Sequence, residues 1–205
     1  MRFADTGLPQ HPVIENAFNE LVRLDTDNNF TDRGIRIAQI IATESKSQDP
    51  DAIAAGLLVP MASDTGQVLL AQAALPPRVT EIIQSVFDIG GMTMRCEPIE
   101  SFYKELDAGA RSVILASSYR MFEVMAAEME ESLAASRRAG AKADAAFLQE
   151  TLDPVKKFTG MICRAETEEK QLAQKCDDAV IRIETLIHGA NPPAPPKATP
   201  AAPKP

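Results

Sequence analysis

Apolar residues recur three or four positions apart in one segment after another of this chain, and proline or glycine stands between the segments. That spacing puts the apolar side chains on one face of an α-helix, so the chain must bury a series of helical faces against one another. Val13, Ala17, Phe18, Leu21 and Val22 mark a first helix, and Ile37, Ala38, Ile40 and Ile41 a second that Asp32 can cap. Pro50 suits the first turn of a third helix over Asp51 to Met61. Pro76 and Pro77 then lead into a stripe of Val79, Ile82, Ile83, Val86 and Phe87, which Gly90-Gly91 should end. Pro98 opens the next segment, and Gly109 precedes a long run from Ala110 to about Arg138 that Gly140 breaks. Aromatics are only 5% while Ala, Leu, Ile, Glu, Gln and Lys recur, so the expected fold class is all-α.

Two long helical stretches follow, about Ala141 to Cys163 and Thr167 to His188. Leu172, Cys176, Val180, Ile183 and Ile187 share one face of the second. That stripe fits packing on the bundle, which is the default, or on a second copy in a homo-oligomer formed through the C-terminal helices. Pro154 is placed to bend the preceding helix back over the core. The expected organisation is a helical domain over 1–163, a C-terminal helix over 164–190 and a disordered tail over 191–205. Seven of the fifteen prolines lie in that tail, which cannot nucleate a helix and has little to bury. Its default role is a flexible, solubilising one, although Pro192-Pro193-Ala194-Pro195-Pro196 has the PxxP spacing that SH3-type grooves accept.

A net charge of -8 without any basic, aromatic-interleaved stripe argues against nucleic acid as a partner. Met1 to Gln10 lacks the basic start and apolar run of a signal peptide, and no stretch approaches the roughly 18 apolar residues of a membrane span. The expected setting is cytoplasmic, away from membranes. Cys96, Cys163 and Cys176 are odd in number and lack CxxC spacing, so they read as buried free thiols.

Histidine removes whole classes of mechanism, because His11 and His188 are the only two and flank the fold. Neither a G-x-S-x-G elbow nor a Cys/His pair is present to activate a nucleophile, and Gly90-Gly91 lacks the Gly-Lys-Ser/Thr of a phosphate-binding loop. Glu128, Glu130 and Glu131, like Glu166, Glu168 and Glu169, read as solvated helix faces. The residue inventory contains no constellation that demands an enzyme, and no cofactor is expected.

Four stretches, in order, resemble the HD hydrolase domain of RelA/SpoT-type alarmone (guanosine tetra/pentaphosphate) enzymes. Arg33-Gly34-Ile35-Arg36-Ile37-Ala38-Gln39-Ile40-Ile41 resembles the family's H-P-x-x-V-A-x-I-L, and Asp49-Pro50-Asp51-Ala52-Ile53-Ala54-Ala55-Gly56-Leu57-Leu58 its D-x-x-T-I-A-A-A-L-L. Val79 to Met92 resembles V-A-x-L-V-x-G-V-T-K-L, and Val113-Ile114-Leu115-Ala116-Ser117-Ser118-Tyr119-Arg120-Met121 resembles V-K-L-A-D-R-L-H-N. A weaker match, Phe147 to Asp153, follows. The likeness spans about residues 15 to 160 and implies an HD-like helical bundle.

In active members two His and two Asp hold one metal, manganese, that activates the attacking water. Carried over position by position, the first His is Arg33, the His-Asp doublet is Val59-Pro60 and the last Asp is Ser117. The Glu of the acid/base role is Ser63, with Asp64 beside it. The basic segment that grips the nucleotide in the family is here Asp25-Thr26-Asp27-Asn28-Asn29. The resemblance therefore implies a catalytically inactive domain kept as a protein-interaction or regulatory module of the stringent response, with an unidentified protein partner. The alternative is a metal-free sensor that binds a guanine nucleotide or another anionic ligand in the vestigial pocket, with Arg33, Arg36, Arg111 and Arg120 as anion contacts.

Overall fold

The computed structural model describes residues 1–27, 30–62, 72–95, 99–139 and 145–190. Ser63, Asp64, Cys96, Pro98, Gly140, the Asn28-Asn29 pair and the proline-rich tail lie outside them. Every regular element among the described residues is helical: a 3-10 turn, Phe3–Asp5, then α1 (Pro12–Leu24), α2 (Thr31–Glu44), α3 (Pro50–Ala62), α4 (Pro77–Arg95), α5 (Ile99–Glu105), α6 (Ala108–Arg138), α7 (Ala145–Ala165) and α8 (Lys170–Ala190). None of these helices is long and apolar enough to cross a membrane.

α3 is the axis of the bundle. After Asp51 it carries no charge, and every residue from Ala52 to Met61 is buried. A helix apolar on all sides needs neighbours all round, and α1, α2, α4 and α6 supply them. The approach to α2 is closest at Gly34, where a built Cβ would stand 2.0 Å from the Leu57 carbonyl oxygen.

α6, at 31 residues the longest helix, spans about 46 Å at the usual rise and passes through two hydrophobic clusters. Val113, Ile114, Leu115 and Ala116 belong to the main core, with α1 to α4. Phe122, Ala126, Met129 and Leu133 form a second, distal cluster with Leu152 of α7 and with Val180, Ile183 and Ile187 of α8. The α8 stripe read from the sequence is buried throughout, and it packs inside its own chain: Leu172 and Cys176 join the main core, the rest the distal cluster.

Several local expectations differ. Val22 is exposed at 41%, and Ile14 takes a core position instead. Gly90-Gly91 does not end α4, which continues to Arg95, and Phe87 points outward because Val79, Ile82 and Ile89 define the buried face. Asp32 does not cap α2. Its start is held from a distance by Asp25, whose Oδ2 accepts hydrogen bonds from Phe30 N–H (2.8 Å), Thr31 N–H (2.7 Å) and Thr31 Oγ1–H (2.7 Å). Asp25 is thus a buried structural anchor. Asp25→Ala strips the N-terminal cap and should lower stability by about 1–2 kcal/mol; urea unfolding that matches the parent would show that α2 starts without it.

Candidate functional site

The bundle brings Arg33, Val59, Pro60 and Ser117 to one groove with a cavity of about 650 Å³. Arg33 and Ile37 come from one face of α2, Val59 and Pro60 from the last turn of α3, and Val86 from α4. α6 closes the fourth side with Ser117, Arg120, Met121, Val124, Met125 and Glu128. These α6 positions fall three and four apart, so one helical face provides the wall.

The groove is mostly apolar, with a few polar groups that have nothing to bond. Arg33 is exposed and makes no ion pair among the described residues. The Ser117 hydroxyl and Arg120 Nε are both shut off from solvent without a hydrogen-bond partner. Buried polar groups are ordinarily satisfied, so two orphaned groups lining one cavity are a feature to be explained.

The remaining arginines are committed elsewhere. Arg36 donates to Glu123 through Nη2 (2.5 Å) and Nε (3.1 Å), and Arg120 Nη1 donates to the same carboxylate at 3.2 Å. Burial works against the Glu123 charge, but the two guanidiniums outweigh it and hold its pKa below the ordinary glutamate value. Arg111 lies apart from the groove, at 3.6 Å from Glu166 and 2.9 Å from Glu168. Of the four expected anion contacts, Arg36, Arg111 and Arg120 are therefore engaged with internal carboxylates, and Arg33 is the one that lines the cavity without an ion pair among the described residues.

The described residues of the groove do not fit a metal ion. Val59 and Pro60 have no lone pair to give, Ser117 is a weak neutral ligand and Arg33 repels a cation. Among the described residues no group of three or more His, Cys, Asp or Glu is placed to hold one.

Two glutamates read as solvated prove to be buried: Glu166 and Glu169 are 7% and 3% exposed. Glu166 Oε2 accepts from the Tyr103 hydroxyl at 2.6 Å, and its Oε1 accepts from the amides of Thr167, Glu168 and Glu169. Glu169 accepts from the hydroxyls of Ser45 (2.9 Å) and Ser112 (3.1 Å) and from Lys46 N–H (2.9 Å). The turn between α7 and α8 is thereby tied to α5, α6 and the end of α2. Burial opposes ionisation of Glu166, yet the Tyr103 hydroxyl, the amides and Arg111 together keep its pKa below the ordinary value. The same contact, with burial, pushes the Tyr103 hydroxyl well above the usual tyrosine value. Both carboxylates are buried and saturated with donors, so they serve architecture. Glu128, Glu130 and Glu131 are exposed as expected.

Orphaned donors are not confined to the groove, since Arg111 Nε and Thr159 Oγ1 are also buried without a hydrogen-bond partner. His11 is the N-cap of α1, its Nδ1 accepting from Val13 N–H, and His188 is exposed in the last turn of α8. Cys176 is buried beside Cys163, and that contact together with burial raises its thiol pKa, which leaves it a poor nucleophile. A second cavity, of about 670 Å³ between α7 and α8, sets Lys156, Lys157 and Arg164 against Asp153, Asp177 and Glu184. Lys156 is paired with Glu184 and Arg164 with Glu100, so most of this slightly larger space is a salt-bridged seam, in which Lys157 is exposed and makes no ion pair among the described residues. Comparison with protein-family models, with curated proteins and with solved structures finds no match.

Proposed function

We propose that this chain is a non-catalytic, HD-type helical module that acts by binding, and that the groove between α2, α3, α4 and α6 is its binding site. The observation that carries the reading is the meeting of Arg33, Val59, Pro60 and Ser117, far apart in sequence, around one cavity that retains unpaired donors but no ligand set for a metal. The HD assignment rests on the ordered stretches of similarity and is supported by this convergence. A regulatory role is in keeping with the chemistry: among its described residues the groove has no metal cage and no activated nucleophile, and its one carboxylate, Glu128, is exposed, so the lining can recognise a ligand without a catalytic set. The guanine-nucleotide reading is the less favoured, because a tetraphosphate calls for several free cations and Arg36 and Arg111 are already paired.

The test is to build the missing cage. Arg33→His, Val59→His, Pro60→Asp and Ser117→Asp in one chain should create manganese binding that the parent lacks, with the absent outer shell weakening it by about 10–100-fold relative to a natural site. Calorimetry against a control with the same four residues placed elsewhere reads the result. A folded variant, checked by circular dichroism, that binds manganese no better than the control would end the HD reading.

A further inference from the structure

The charge and lining of the groove define what it takes, given that it is the binding site proposed above. Of its lining residues, Arg33 and Arg120 carry positive charge and Glu128 negative; Arg36 and Glu123, paired behind the α6 wall, cancel. Among the described lining residues one net positive charge remains, which suits a monoanion and is too little for a polyphosphate. Arg33 is exposed and makes no ion pair among the described residues, so its guanidinium is the donor open to a ligand, whereas Ser117 Oγ and Arg120 Nε are closed off from solvent. Beyond them the walls are branched or flexible hydrocarbon: Val59, Val86, Met121, Val124 and Met125. Methionine and valine side chains of this kind conform to a chain of methylenes and offer nothing to a purine or ribose, which need in-plane donors and acceptors. The volume lies within the usual range for a site that encloses a small ligand.

We propose that the groove binds a monocarboxylate with an extended apolar body, such as a medium-chain fatty acid. Its carboxylate is held by Arg33, and its hydrocarbon lies along the α4 and α6 side of the groove.

Calorimetry on the full chain with hexanoate, octanoate and decanoate tests this. Affinity should rise about fourfold per methylene as each is buried. Decylamine, of the same length and opposite charge, should bind at least tenfold more weakly than decanoate. Arg33→Gln, at an exposed position, should weaken decanoate about tenfold without a change in circular dichroism. Equal affinity for decylamine and decanoate would overturn the proposal, since the groove would then be a mere apolar patch. So would decanoate binding that Arg33→Gln leaves untouched. Guanosine tetraphosphate binding more tightly than decanoate, and dependent on Arg33, would overturn the ligand class while leaving the groove as the site. Absence of decanoate binding also overturns the ligand class, and the manganese experiment decides separately whether the groove residues converge.

Discussion

Gly34→Ala is expected to destabilise the protein by about 3 kcal/mol, against the gain of about 1 kcal/mol that alanine normally brings to a helix interior. The reason is the closeness of α2 to α3. The new methyl would lie 2.0 Å from the Leu57 carbonyl oxygen, 2.9 Å from its carbon and 3.3 Å from Leu21 Cδ2. The first two are backbone atoms of a helix buried on every side, so nothing can rotate away and the helices must separate. Two other glycines calibrate the effect. Gly56→Ala meets Ile41 Cδ1 at 2.6 Å, the movable end of a side chain, and should cost less; Gly90→Ala meets nothing within 4 Å and should stabilise. Urea midpoints should rank the three in that order. A Gly34→Ala protein as stable as the parent would mean that α2 and α3 do not pack at this distance, and the groove between Arg33 and Val59 would then have a different width.

Glu166→Leu should cost about 3–5 kcal/mol, the range for removing one partner from a buried charged network. Three amides and the Tyr103 hydroxyl lose their acceptor at once, and Arg111 keeps only Glu168. Tyr103→Phe, which removes one donor and leaves the carboxylate three amides, should cost about 1.5–3 kcal/mol. The same group sets a pH signature. Its folded pKa is depressed below the ordinary 4.5, so its contribution is fully present above about pH 4.5 and is lost as pH falls through the lower, folded value. Denaturant unfolding between pH 6 and pH 3 should therefore show the parent losing more stability on acidification than Glu166→Leu does. Equal acid sensitivity would mean that Glu166 is not held ionised in the folded chain.

How much of this was legible in the sequence depended on whether a feature is local. The α8 stripe from Leu172 to Ile187 could be read directly because helical spacing alone decides which residues share a face. Pro50 and Pro77 announced their helix starts for the same reason. Glu166 and Glu169 could not be read, because their donors, Tyr103, Ser45 and Ser112, are brought to them by other helices and a glutamate on a helix gives no sign of such company. The cap of α2 went to Asp25 instead of Asp32 because a loop folds back, which no rule of position within the helix foresees. Nor does a glycine pair reveal whether it ends a helix, and α4 runs through Gly90-Gly91 to Arg95. For the groove, periodicity was silent. Only the ordered similarity to a family placed Arg33, Val59, Pro60 and Ser117 together, while the orphaned Arg120 Nε and the pairing of Arg36 with Glu123 depend on geometry that three-dimensional packing alone supplies.

α6 serves two masters over the same few turns. Ser117, Met121, Val124 and Glu128 face the groove, while Phe122, Ala126, Met129 and Leu133 face the distal cluster. That cluster is small and sits at the far ends of α6, α7 and α8, where local opening is expected at a free energy below that of global unfolding. When the tip of α6 unravels back toward Phe122, one wall of the groove is dismantled with it. Whatever occupies the groove therefore binds only the closed form and shifts the population toward it. Order gained on one face of α6 is then expected to be felt at Ile183 and Ile187 of α8, which pack on α6 but do not line the groove.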